Sequence, residues 1–161
     1  MSGFRSLPLL ACGMSQAQKD VIVDIDGTLA DCSHRVHFIR GKRKKWKKFF
    51  DAASKDRPRI DVVARVRELA KRHRIHLVSG RPEQYRRQTL EWLGHYRIPF
   101  ESLHMRENGD YRSDDIVKQE ILDLCFDKAN IELVIDDRPR VVRMWQSNGL
   151  KVLDVGDGIE F

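Results

Sequence analysis

Val21 to Asp31 reads VIVDIDGTLAD, three apolar residues followed by two aspartates one residue apart and a Gly-Thr pair. Aspartate is among the poorest strand formers, so local preference does not put Asp24 and Asp26 at the end of a buried strand. A chemical task or a compensating partner has to justify the pair. Successive side chains of a strand point to opposite faces, so Asp24 and Asp26 are expected to share a direction while Ile25 turns into the core.

Outward from this stretch, apolar runs alternate with amphipathic segments. Val21 to Ile25 is the first strand, and Asp61 to His73 carries Val62, Val66, Leu69 and Ala70 at helical spacing. Ile75 to Ser79 is the second strand. A helix is expected to open at Pro82, a residue favoured in a first turn, with Tyr85, Leu90 and Leu93 inward. Ser102 to Met105 is the third strand, followed by the polar loop RENGDYRS. Asp114 is placed to cap a helix reaching about Lys128, whose apolar stripe is Val117, Ile121, Leu124 and Cys125 with Ile116 at its edge. Ile131 to Ile135 is a strand, Pro139 opens a helix with Val142 and Trp145 inward, and Val152 to Val155 closes the sheet.

Short, continuously apolar strands alternating with helices make an α/β fold, a Rossmann-like parallel sheet flanked by helices. The exception is the stretch from Ala30 to Arg59, too long for an ordinary connection. It reads as a small basic insertion after the first strand, cap-like over residues 31–60. The 161 residues suit one domain, placed at 19–161, with residues 1–18 a leader in which Met14 is an alternative start. The segment LPLLAC at Leu7 to Cys12 has the look of a lipoprotein cleavage box, but the apolar stretch before it is too short for export.

With 34% charged and 41% hydrophobic residues the composition is that of a soluble globular chain, and no apolar run is long enough to cross a bilayer. Three widely spaced cysteines, Cys12, Cys32 and Cys125, form neither a disulfide framework nor a zinc motif, which favours a reducing compartment and a cytoplasmic location. The net charge of +6 is local: RGKRKKWKK, from Arg40 to Lys48, holds seven basic residues and no acidic one.

Ligands of open parallel sheets bind outside the carboxyl ends of the strands. Those ends carry Asp24 and Asp26, Ser79, the loop leading to Lys118, and Asp136 with Asp137. Carboxylates that converge repel unless a cation lies between them, and all-oxygen ligands suit Mg²⁺, which takes one or two carboxylates together with phosphate oxygens. A phosphate-bearing substrate follows. One aspartate can attack phosphorus to form an aspartyl-phosphate while its neighbour handles protons. Asp26, kept partly protonated by anionic neighbours, is expected to be the acid and base, with Lys118 and Ser79 stabilising the equatorial oxygens.

DIDGT at Asp24 to Thr28, LVSGR at Leu77 to Arg81, Lys118, and IDDR at Ile135 to Arg138 resemble the four ordered motifs of the haloacid dehalogenase superfamily. More narrowly, SGRPEQYRRQTLEWL, GDYRSDDIVKQEIL and LVIDDRPRVVRMW resemble the 3′-phosphatase domain of polynucleotide kinase/phosphatase, over nearly everything after Asp20. The resemblance implies Asp24 as nucleophile and Asp26 as general acid and base, with Ser79, Arg81 and Lys118 on the phosphoryl group and Asp114 positioning Lys118. It implies Mg²⁺ held by Asp24, the backbone carbonyl of Asp26 and one of Asp136 or Asp137, with Asp136 preferred. Arg112 would hold the substrate or the loop. No GxxxxGK[ST] occurs, so kinase activity is not expected, and Asp31 to Pro58 departs from the family's short insert.

The basic run has two compatible readings. Trp46, Phe49 and Phe50, at i, i+3 and i+4, make the apolar side of a short helix packed on the domain. Lys44, Lys45 and Lys47 then face outward toward a polyanionic backbone, while a free Trp46 would instead stack on a base. His34 and His37 read as ordinary loop residues, and Trp92 and Trp145 as core. The expected activity is removal of a terminal phosphate from nucleic acid, the 3′ end favoured. The alternatives are a nucleotidase acting on free nucleotides with the same chemistry, and a nucleic-acid-binding module without catalysis.

Overall fold

The alternation of three consecutive residues sets the layering: Val21 and Val23 join one apolar core and Ile22 joins another, on the opposite side of the sheet. A computed structural model describes residues 17–158. Most of the expected leader, with LPLLAC, Cys12 and Met14, lies outside the described residues.

Strand β1 (Asp20–Val23) leads into a tight turn and the two-residue strand β2 (Ala30–Asp31). A 3₁₀ turn (Ser33–Phe38), helix α1 (Trp46–Asp51), a second 3₁₀ turn (Ala52–Lys55) and strand β3 (Arg57–Pro58) follow. The chain continues through α2 (Ile60–Leu69), β4 (Arg74–Pro82), α3 (Arg86–His95), β5 (Ser102–Arg106), α4 (Asp114–Cys125), β6 (Ile131–Asp136), α5 (Pro139–Ser147) and β7 (Val152–Asp154).

Five strands form one sheet in the order β5-β4-β1-β6-β7, every neighbouring pair parallel. Helices α2 and α3 cover the face of Val21 and Val23 with Val62, Val66, Trp92 and Leu93. Helices α4 and α5 cover the other with Leu122, Val141 and Trp145, which pack around Ile22 and Val134. Burying a side chain of this size contributes about 1.5–3 kcal/mol, so the alternation is strongly specified. The long connection between β1 and α2 folds back on itself: β2 pairs antiparallel with β3, and Cys32, Val36, Ile39 and Phe49 make a small core of their own. Among the described residues no helix is long and apolar enough to cross a membrane.

Several local expectations shift. β4 runs through Pro82, and α3 begins only at Arg86. Leu90 is exposed, while Thr89 on the same helix is buried. The expected stripe of α4 is rotated: Leu124 and Cys125 face solvent, and the buried line is Val117, Lys118 and Leu122. Apolar spacing alone cannot anticipate a helix turned to bring a lysine inward. Ser113, in extended backbone, rather than Asp114 is the N-cap residue of α4; Asp114 is already the first helical residue, and its carboxylate pairs with two arginines described below.

Candidate active site

The chain leaves β1 for β4 and β5 on one side, then crosses back to β6 and β7 on the other, so the strand order reverses between β1 and β6. A crevice outside the strand ends is expected at such a point. The amide of Asp24 donates to the carbonyl of Ile135 at 3.0 Å, carrying the β1–β6 pairing one residue past β1. Asp24 and Asp136 are thereby set side by side.

Lys118, on α4, reaches between them. Its Nζ donates to Asp24 Oδ1 at 2.7 Å and to Asp136 Oδ2 at 2.8 Å, with the lysine side chain 2% exposed. Asp136 Oδ2 also accepts from Trp145 Nε1 at 3.1 Å, and its Oδ1 accepts the backbone amides of Asp137 and Arg138. Asp137 accepts from the Thr28 hydroxyl at 3.0 Å. Asp24, Asp136 and Asp137 each present a carboxylate oxygen within 4.8 Å of the others. An all-oxygen set at this spacing fits a hard divalent cation. Burial pushes the Asp24 carboxyl well above its ordinary range, against the attraction of Lys118. Burial and repulsion from Asp136 push Asp137 up to about 6. Burial opposes the ammonium of Lys118, but the Asp136 and Asp24 charges prevail and raise its pKa.

Gly27 makes the turn beyond β1 possible. Its φ is +83°, and a Cβ there would lie 2.1 Å from Asp137 Oδ2. β1 ends at Val23, so Asp24 and Asp26 lie just beyond the strand, and their carboxylates have separate partners although both line the cavity described below.

Asp26 accepts Arg81 Nη2 at 2.6 Å and Arg81 Nε at 3.1 Å, and it also accepts Arg35 Nη2 at 2.5 Å. Burial disfavours its charge, but the two guanidinium groups outweigh burial and hold the carboxyl well below the usual carboxylate range. The expectation of a partly protonated Asp26 is therefore corrected: its close neighbours are cations. Arg35 in turn donates to both oxygens of Asp56, at 2.7 and 2.5 Å, and to the Phe49 carbonyl, and it lies 4.1 Å from the centre of the Phe49 ring. His34 adds a contact to Asp56 at 2.8 Å. Neither Arg35 nor Asp56 was anticipated from sequence. Both lie in the connection after β1, and no periodic pattern marks a buried ion pair made across 21 residues.

Asp114 accepts from Arg106 Nη2 and, at 2.6 Å, from Arg138 Nη1, one turn of helix before Lys118. Its carboxylate thus sits near Lys118 without a direct bond to it. Arg106 and Arg138 are further residues that sequence reasoning left without a role, although Arg138 closes the IDDR motif. A cavity of about 650 Å³ opens over this ground, lined by Asp24, Asp26, Asp114, Lys118, Asp136 and Asp137. Lys44, Lys47 and Arg112 also line it. Three expected site residues do not. Ser79 is buried and accepts from the Arg81 amide, the Arg81 guanidinium is committed to Asp26 and Thr89, and Lys45 lies outside the lining. Arg112 is paired with Asp110 and Glu120, which ties down the loop before α4. Arg59, also unanticipated, donates to the Gly27 and Val155 carbonyls and so joins the turn to the end of the sheet.

Residues 18–159 match the family described as the polynucleotide kinase PNKP phosphatase domain. A protein of Autographa californica nuclear polyhedrosis virus, described as a bifunctional polynucleotide kinase/RNA ligase, is 33% identical over 130 residues, covering 78% of this chain and 17% of the viral protein. A chain from the Pnkp1/Rnl/Hen1 RNA repair complex superposes with a TM-score of 0.74 at 29% identity, over 90% of this chain and 45% of that one. A haloacid dehalogenase-like hydrolase of Streptococcus pneumoniae superposes with a TM-score of 0.64 at 12% identity, over 89% and 88% of the two chains, a likeness of fold. This chain spans less than half the length of the first two relatives.

Proposed function

The chain belongs to the phosphatase-domain family of polynucleotide kinase PNKP, and from that premise we propose that it is a Mg²⁺-dependent phosphomonoesterase acting on the 3′-phosphate of nucleic acid ends. The observation that carries this reading is Lys118, a buried ammonium bridging Asp24 and Asp136 at the point where strand order reverses. Buried ion pairs are weak sources of stability, so such a bridge is better explained by chemistry than by folding.

The proposed roles follow from the contacts. Asp24 attacks phosphorus; the bond from phosphorus to the 3′ oxygen breaks, and that oxygen takes a proton from the Asp26 carboxyl. In the second step a water oxygen attacks phosphorus, Asp26 accepts its proton, and the bond to Asp24 breaks to release inorganic phosphate. Arg35 and Arg81 keep Asp26 ionised before substrate arrives. A phosphate dianion beside it favours the protonated form, so proton uptake accompanies binding. Asp24, Asp136, Asp137 and the Asp26 carbonyl would hold Mg²⁺, which when bound offsets carboxylate repulsion and polarises the phosphoryl oxygens. Lys118 stabilises charge on the transferring group, while Arg81 and Arg35 are positioning residues for Asp26. The outward lysines of the basic run supply sequence-independent attraction for a polyanionic strand.

The test is phosphate release in Mg²⁺ from a 3′-phosphorylated oligonucleotide, its 5′-phosphorylated twin, and nucleoside 3′- and 5′-monophosphates, with wild type and Asp24→Asn. Preference for the 3′-phosphorylated oligonucleotide, lost on substitution and on chelation of the metal, is the expected result. Preference for free 5′-nucleotides would move the function to nucleotide hydrolysis, and release from none of the four would overturn the reading.

A further inference from the structure

Six large apolar side chains are exposed among the described residues: Trp46, Ile60, Leu90, Tyr111, Ile116 and Leu124. Two of them, Trp46 and Tyr111, line the cavity over the carboxylates, and these are the two aromatic members of the set. Tyr111 is 93% exposed.

The loop that carries Tyr111 is held from beneath. Arg106, itself buried, donates to the carbonyls on either side of the tyrosine, those of Asp110 at 3.1 Å and Arg112 at 2.6 Å. Its Nε donates to the Gly80 carbonyl at 2.9 Å, fixing the loop to the end of β4. The Arg112 amide closes onto the Asp110 side chain at 2.9 Å. A ring left wholly in water on a backbone tied down at both flanks is pre-ordered for contact, since little freedom is lost when something covers it. Trp46 is backed by Phe50, with ring centres 5.9 Å apart and planes 19° from parallel, and Phe50 packs on Tyr85 at 5.3 Å. The Lys44 ammonium lies 5.5 Å from the centre of the Trp46 ring.

We propose that Tyr111 and Trp46 form a stacking subsite for the bases of a single-stranded nucleic acid end whose terminal phosphate lies at Asp24. This rests on the phosphatase reading and deepens it: the enzyme holds the nucleobase as well as the phosphate. Every base has a π-face, so stacking tolerates any sequence, while an unpaired end is required to expose that face. A cation–π contact at an exposed site is weaker than base stacking, so an arriving base displaces Lys44 from Trp46 and leaves its ammonium for a backbone phosphate.

The test compares two single-stranded oligonucleotides with the same terminal 3′-phosphate, one ending in an ordinary nucleotide and the other in an abasic tetrahydrofuran residue. Wild type is expected to favour the base-bearing end by roughly tenfold in kcat/KM, mostly through KM. Tyr111→Ala and Trp46→Ala are expected to shrink that ratio severalfold, while Tyr111→Phe, which keeps the ring, retains it. Tyr111 is exposed, so its variants keep the fold and separate stacking from structural damage. A wild-type ratio near one, or an undiminished ratio in Tyr111→Ala, would overturn the stacking subsite and leave the phosphatase reading standing. Phosphate release from neither oligonucleotide by wild type would overturn that reading, and the subsite with it.

Discussion

Replacing Arg35 with methionine should be among the most damaging single changes available outside the apolar cores. The guanidinium is fully buried and makes both short contacts to Asp56, one to Asp26 and one to the Phe49 carbonyl. Methionine preserves much of the volume against Phe49 but supplies no donor. Asp56, whose carboxylate is wholly buried, then loses its two shortest contacts and keeps only His34 at 2.8 Å and Arg81 at 3.4 Å. Removing one partner of a buried pair costs about 3–5 kcal/mol. That is a large part of the roughly 5–15 kcal/mol that holds a domain together. In a chain of this length it corresponds to a fall in Tm of about 6–20 °C. Urea unfolding followed by tryptophan fluorescence measures the loss. The decisive comparison is Arg35→Met with Arg35→Met/Asp56→Leu, which removes both charges and leaves Arg81 with Asp26. The double variant should recover at least half of the loss, because the penalty lies in the orphaned carboxylate rather than in the missing attraction. A cost below about 1 kcal/mol for the single variant, or a double variant no more stable than the single, would refute the reasoning.

Gly27→Ala should lower stability by about 1 kcal/mol or more, and phosphate release with it, since φ is +83° and the new methyl would fall 2.1 Å from Asp137 Oδ2. An unaltered urea midpoint and unaltered activity would show that the turn adapts. Burial pushes the Cys32 thiol up to about 12, so at pH 8 its thiolate is about one part in ten thousand, against roughly a quarter for an ordinary cysteine. In a Cys12→Ser background, a thiol reagent at pH 8 should modify exposed Cys125 at once and Cys32 only on unfolding; prompt reaction of both would contradict its burial. Lys44→Ala/Lys47→Ala should make the salt dependence of KM for oligonucleotides shallower by up to about 1.4 in log–log slope, at about 0.7 per phosphate contact on a single strand. A slope equal to that of wild type would place the strand elsewhere.

Much of this molecule is written in local patterns. Val21 to Val23 needs only its unbroken apolar run to declare a strand buried on both faces, and Val62, Val66 and Leu69 need only their spacing to declare a helix. The order of such segments then favours a parallel sheet, because each crossover helix returns the chain to the end of the sheet where the previous strand began. The nearness of Asp24, Asp136 and Asp137 was legible for the same reason: each lies at a strand end, and connectivity brings them to one edge, whereas Lys118 on its amphipathic helix stood out only through the motif that precedes it. The partners that set their chemistry were not legible. Asp26 looked like a carboxylate crowded by anions, yet its close partners are Arg81 and Arg35, whose guanidinium groups outweigh burial and hold the carboxyl well below the usual carboxylate range. Asp114 looked like a cap and instead pairs with Arg106 and Arg138. The facing of α4 was misjudged because Lys118 is buried at the expense of Leu124. Sequence by itself therefore determined the fold class and the sheet edge where the candidate residues gather, which follow from periodicity and chain order, and the family, through the resemblance of its four ordered motifs. Which charge meets which was decided only by tertiary structure, because an ion pair across 21 or 94 residues depends on how the sheet twists and the connection folds back, and no local pattern encodes that.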